Sequence, residues 1–123
     1  MLAGVVRTTD DKEPAMPAVF VYMTVATREE AETIGRTLVE ERLAACVNLL
    51  PDMRSIYRWH GRIESASEIV LIAKTRQDLT HALLARVNIL HSYDVPCAVV
   101  LPITDGLPDF LRWIDEETLP QHH

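Results

Sequence analysis

Short apolar runs alternate along the chain with amphipathic stretches, and the two periodicities predict different elements. Residues 19–25, VFVYMTV, are apolar or β-branched at nearly every position, the pattern of a strand buried on both faces. Thr27-Arg28-Glu29-Glu30 follows as a capping-box sequence, with Thr27 at the N-cap and Glu30 at N3. Ala31, Ile34, Gly35, Leu38 and Val39 then fall on one side of a 3.6-residue repeat, so 28–42 reads as an amphipathic helix. Residues 44–59 read as a second strand, bent or bulged at Pro51, which has no N–H to give a ladder. His60-Gly61 is placed for a two-residue hairpin turn, and the return strand runs from about 62 to 74. Thr75-Arg76-Gln77-Asp78 resembles a second capping box. Leu79, Leu83, Val87 and Leu90 carry helical spacing to about residue 90. A strand over 97–103, a turn at Thr104-Asp105-Gly106 and a short helix begun by Pro108 complete the chain.

The order is β-α-β-β-α-β with a short extra helix, an α+β, ferredoxin-like arrangement with an antiparallel sheet. The domain is expected over 18–119, between a flexible tail at 1–17 and a short one at 120–123 that holds His122-His123. Both long helices should lie on one face of the sheet. The strands are nevertheless apolar at consecutive positions, so the second face also needs cover. A homo-oligomer supplies it in one reading, and the 44–74 hairpin folding back supplies it in the other.

Composition narrows the partners. The 123 residues suit one domain, and 48% are hydrophobic. Eighteen acidic against twelve basic residues give a formal charge of −6, which repels phosphate backbones and argues against nucleic acid. No apolar run is long enough to span a bilayer, and the first residues lack the pattern of a secretory signal, so a cytoplasmic, non-membrane protein is expected. Two cysteines, Cys46 and Cys97, are too few for a disulfide framework.

The candidate chemistry is sparse. No G-x-S-x-G, P-loop, H-E-x-x-H or G-x-G-x-x-G motif occurs, and no nucleophile–base set is visible, so an enzyme is not expected. Cys46 lies in an apolar setting and reads as a core residue. Glu64 and Glu68 point to one face of their strand; such a pair can do acid–base work, but on a long hairpin ion pairs are the plainer reading, for instance with Arg54 or Arg58, or with a neighbouring subunit. The segment His91-Ser92-Tyr93-Asp94-Val95-Pro96-Cys97 has two readings. His91 and Cys97, with an oxygen from Asp94 and the soft thioether of Met23, offer donors for copper or zinc. The plainer reading is a helix end followed by entry into a strand. Tyr57 and Trp59, alternating with Arg54, Ile56 and Arg58, suggest hairpin packing or a subunit interface.

Taken together, EERLAACVNLLP, SIYRWHGRIE, SEIVLIAKT, HSYDVP and LPDFLRWI resemble the CutA divalent-cation tolerance family from about residue 20 to 117. The resemblance implies a homotrimer held by strand contacts between subunits, similar to the PII signalling proteins, and a role in divalent metal tolerance with copper binding; zinc and other divalent cations are alternatives. It carries polar residues into intersubunit clefts at Cys46, Glu64, Glu68, Lys74, Tyr93 and Trp113, with Pro96 also matching the motif. It places metal ligands at Met23, Leu90 and His91, of which Leu90 has no donor atom. Where the family pattern reads HPY…PE, this chain has Ser92 and Cys97, so a carboxylate is lost and a thiol gained; Phe110 stands for a tyrosine. The expected metal residues are therefore His91, Cys97 and Met23. The alternative is a PII-like signalling or scaffold trimer that binds a small ligand or an unidentified protein in its clefts, with Lys74 as anion anchor and Glu68 its partner.

Overall fold

A computed structural model describes residues 16–120. The expected tail therefore lies outside the described residues except for Met16 and Pro17, as does the His122-His123 end. The Pro17 carbonyl already accepts the Gln77 N–H at 2.9 Å. The elements are β1 (Ala18–Val25), α1 (Arg28–Glu40), β2 (Cys46–Trp59), β3 (Arg62–Arg76), α2 (Thr80–Leu90), β4 (Ala98–Pro102) and α3 (Pro108–Glu116). The sheet order is β2-β3-β1-β4 with every neighbour antiparallel, the ferredoxin-like topology expected.

Alternation along each strand sorts the sheet into two faces. Val21, Met23 and Val25 of β1, Leu71 and Ala73 of β3, and Val47 and Leu49 of β2 pack against Ala31, Ile34 and Leu38 of α1 and Leu83 and Val87 of α2. Each such Val or Leu contributes about 1.5–3 kcal/mol by leaving water. The other face carries Phe20, Tyr22 and Thr24, then Val70, Ile72 and Lys74, with Leu50, Val99 and Leu101 at the edges. Helix α3 covers only one end of it, burying Ile114 against Ala18 and Ala45. Leu50, Val99 and Leu101 remain exposed.

The β2–β3 hairpin does not fold back over that face. The β1 ladder ends at Val25 opposite Ile69, and residues 53–68 continue beyond it as a two-stranded ribbon. Ile56 is 76% and Ile63 64% exposed on the ribbon, so neither serves a core within the chain. The turn is as expected: His60 (φ 49°) and Gly61 (φ 77°) are both left-handed, the signature of a two-residue type I′ hairpin.

Pro51 does mark a bulge. The register jumps from Leu50 opposite Val70 to Met53 opposite Glu68, and Asp52 takes a left-handed φ of 61°. One extra residue inverts the facing of everything beyond it. The expected ion pairs with Arg54 and Arg58 are consequently not made within the chain. Arg54 lies opposite Ser67, on the face away from Glu64 and Glu68, and donates to the hydroxyls of Ser65 (3.0 Å) and Ser67 (3.4 Å).

Helix α1 begins where its pattern places it, with Thr27 as N-cap, whereas the second helix start does not follow its pattern. The Thr27 hydroxyl caps α1 by accepting the Glu30 N–H at 3.1 Å, but the Glu30 carboxylate turns to Ser92 and leaves the box half-made. The second box is absent, because Thr75 belongs to β3 and donates its buried hydroxyl to the Leu43 carbonyl. Helix α1 ends at Glu40, two residues before the sequence pattern suggests. The Leu43 N–H reaches back to Leu38 and the Arg42 N–H to Val39, a Schellman closure with Arg42 (φ 59°) where glycine is usual. The Arg42 guanidinium donates to the Glu116 carbonyl at 2.9 Å and to Glu117 and Thr118 at 3.4 Å, so one residue closes α1 and caps α3.

Candidate functional site

A cleft of about 480 Å³ opens on the uncovered sheet face. Tyr22 and Thr24 of β1 line its floor, Ser55, Tyr57 and Trp59 of the ribbon one side, and Glu68 of β3 its junction with the ribbon. Tyr93, Asp94, Val95 and Cys97, from the connection between α2 and β4, close the far side. The bulge puts the ribbon residues there. Ser55, Tyr57 and Trp59 share the face of Met53, which lies opposite Glu68.

Glu68 is only 7% exposed. Its Oε2 accepts the Tyr93 hydroxyl at 2.9 Å. Burial, then the hydrogen bond and charge of Glu68, and smaller effects of Glu30 and Tyr57, push the Tyr93 phenol well above its usual range. Tyr93 therefore stays protonated and keeps donating.

Behind Tyr93 stands His91, which ends α2, as the plainer reading of this segment has it. Its side chain is fully buried. The Tyr93 N–H donates to Nδ1 at 3.1 Å, which leaves the ring proton on Nε2, 2.7 Å from the Thr24 carbonyl. Glu30 accepts the Ser92 N–H at 2.8 Å and its hydroxyl at 3.0 Å, and lies 3.5 Å from His91 Nδ1. The imidazole thus spans β1 and the cleft wall, with both nitrogens engaged by backbone.

The expected metal residues do not meet within one chain. Met23 is wholly buried on the helix side of the sheet, opposite Ala98. Cys97, one residue earlier, is exposed and lines the cleft on the opposite side. His91 is buried behind the wall, and its lone-pair nitrogen already accepts a hydrogen bond. Among the described residues no group of three or more His, Cys, Asp and Glu converges to hold an ion.

The residues expected in intersubunit clefts separate into groups. Glu68 and Tyr93 meet in the cleft, together with Cys97. Cys46, Lys74 and Trp113 lie toward the α3 end of the same face. Lys74 donates to Asn48 and sits 5.8 Å from the Phe20 ring and 5.7 Å from that of Phe110, which stacks at 5.7 Å on Trp113. Cys46 faces Lys74 across the ladder; burial pushes its thiol up, against a smaller lowering by Lys74. Lys74 and Glu68 do not pair, being six residues or about 20 Å apart along one strand. Glu64 stands exposed on the ribbon opposite Tyr57. Tyr22, Thr24 and Ser55 were not singled out by sequence reasoning; alternation from Phe20 and from Met53 is the signal that finds them.

Fold and cleft define a ferredoxin-like α+β chain with a ligand-sized hollow on the sheet face its two long helices leave bare. A family model, CutA1 divalent ion tolerance protein, matches residues 19–117, and the chain belongs to that family. It is 42% identical over 109 residues to Protein CutA, chloroplastic, of Arabidopsis thaliana, matching 89% of this chain but 60% of that one. To the divalent-cation tolerance protein CutA of Thermus thermophilus it is 47% identical over 98 residues, 80% of this chain and 95% of that one. The crystal structure of CutA1 from Oryza sativa superposes with a TM-score of 0.84 at 38% identity, covering 86% of this chain and 97% of that one. The chain thus spans about three-fifths of the plant protein and nearly all of the bacterial one. Among the described residues no helix is long and apolar enough to cross a membrane.

Proposed function

We propose that the chain acts as a cytoplasmic homotrimer that binds divalent metal ions, copper first, in metal tolerance, and that it binds rather than catalyses. The observation that carries this reading is the open sheet face, where Cys97, Asp94 and Glu68 offer donors beside the exposed Leu50, Val99 and Leu101. Among the described residues one chain completes no coordination set, so neighbouring copies are assigned the further donors while covering the apolar edges. The thiol of Cys97 suits copper, and zinc is the next candidate. His91 and Met23 are better placed to hold the wall and the core than to donate.

Calorimetric titration of the EDTA-stripped protein with Cu(I), Cu(II) and Zn(II) tests this. Cys97→Ser should weaken copper binding at least tenfold, whereas His91→Ala should act chiefly on stability. Equal copper affinity of wild type and Cys97→Ser would remove the thiol from the site. The absence of saturable binding for every ion would remove the metal.

A PII-like signalling role, with a small ligand in clefts that subunits share, is the second reading. The cleft favours it by its size, since about 480 Å³ suits an organic molecule rather than an ion.

A further inference from the structure

The cleft has aromatic walls that metal binding leaves unused. Four aromatic rings line it, those of Tyr22, Tyr57, Trp59 and Tyr93. Its charged side chains are the carboxylates of Glu68 and Asp94, and among the described residues no lysine or arginine lines it. Glu68 is 7% exposed, and its hydrogen-bond partner is a neutral phenol rather than a cation. A carboxylate buried without a counter-charge is costly. Aromatic faces add their own attraction for a cation, greatest for indole and when water is excluded. The volume exceeds that of a metal ion and falls within the range of small-ligand sites.

We propose that this cleft binds an organic ammonium ion, with the Glu68 carboxylate as counter-charge and the rings of Tyr57, Trp59 and Tyr93 as walls. This names a ligand class for the cleft-binding reading and does not depend on the metal one. Tyr93 is the positioning residue. Its hydroxyl holds Glu68, and its backbone is held by His91. Binding needs no covalent step and no proton transfer.

The test is ligand-observed saturation-transfer NMR on the full chain in EDTA, with tetramethylammonium chloride as probe and tert-butanol as its neutral counterpart of similar shape. Tetramethylammonium should bind saturably, and tert-butanol at least tenfold more weakly. Glu68→Gln keeps an acceptor for Tyr93 and should weaken tetramethylammonium at least tenfold while leaving tert-butanol unchanged. Should Glu68→Gln fail to fold, Trp59→Leu on the exposed ribbon serves instead. It should also lose the ammonium ion, while keeping any copper binding that wild type shows. Equal binding of the two probes would overturn the ammonium assignment and keep the cleft as a site. Binding of neither would overturn both. Undiminished tetramethylammonium affinity in both variants would place the ion elsewhere and overturn the proposal.

Discussion

Tyr93 joins two constraints at one side chain: its hydroxyl serves Glu68 and its N–H serves His91. The phenol's folded-state pKa lies above the value of about 10 expected in the unfolded chain. Between those values the folded state holds more protons, so this contribution is complete below about pH 10 and is lost as pH rises toward the folded value. Tyr93→Phe should lower stability by about 1 kcal/mol at neutral pH and flatten the alkaline fall of Tm, measured by thermal melts from pH 7 to 11. An unaltered alkaline slope would show that Tyr93 is not the group responsible. The two thiols should separate as sharply. Cys97 is exposed, and the Cys46 thiol is pushed up by burial, so iodoacetamide at pH 8 should label Cys97 first. Peptide mapping at short times reads the order. Sequence offered His91 as a donor because its type and spacing allow it. What it does not display is the Thr24 carbonyl, 67 positions earlier, that accepts the hydrogen bond of its ring Nε2–H.

Elements were legible wherever one local rule governed them. The two-residue hairpin at His60-Gly61, the proline-initiated α3 and the continuous apolar strands all formed as their patterns require. Rules that need two distant partners were the ones that misled. Glu30 sits at the box position but serves Ser92, and Thr75 has the residue type of a cap but lies inside a strand. The hairpin gives a direct test. Asn is preferred over His at the first left-handed position of a type I′ turn, so His60→Asn should raise stability by about 0.5–1 kcal/mol. His60→Val should lower it by about 1–2 kcal/mol, since a β-branched residue resists positive φ. Urea denaturation measures both. Arg42→Gly would relax the left-handed backbone yet remove the donors that cap α3. A net loss of about 1 kcal/mol is expected if the cap outweighs the strain.

At the scale of the molecule, the sheet is finished on one side and unfinished on the other. Helices α1 and α2 seal the first face, and α3 closes one end of the second. Leu50, Val99 and Leu101 are left in water. In the trimer we propose, Val99→Asp would bury a charge at each contact, so light scattering should give three times the chain mass for wild type and a smaller value for the variant. A wild-type monomer at micromolar concentration would end the trimer reading. The need for cover was legible in the consecutive apolar positions. The split of the polar residues into a cleft group and an α3 group was not, because it depends on how far apart positions 68 and 74 lie along one strand.

The irregularity at Pro51-Asp52 has a consequence for how such a chain can change. Asp52 is the residue this strand can spare. Its deletion would leave Leu50 and Met53 two positions apart, in step with Val70 and Glu68 on the partner strand, so Tyr57 and Trp59 would still look into the recess and Arg54 and Arg58 away from it. What would go is the kink and the extra twist that aim the arm. A one-residue loss here therefore changes the direction of the arm and not the charge of the recess.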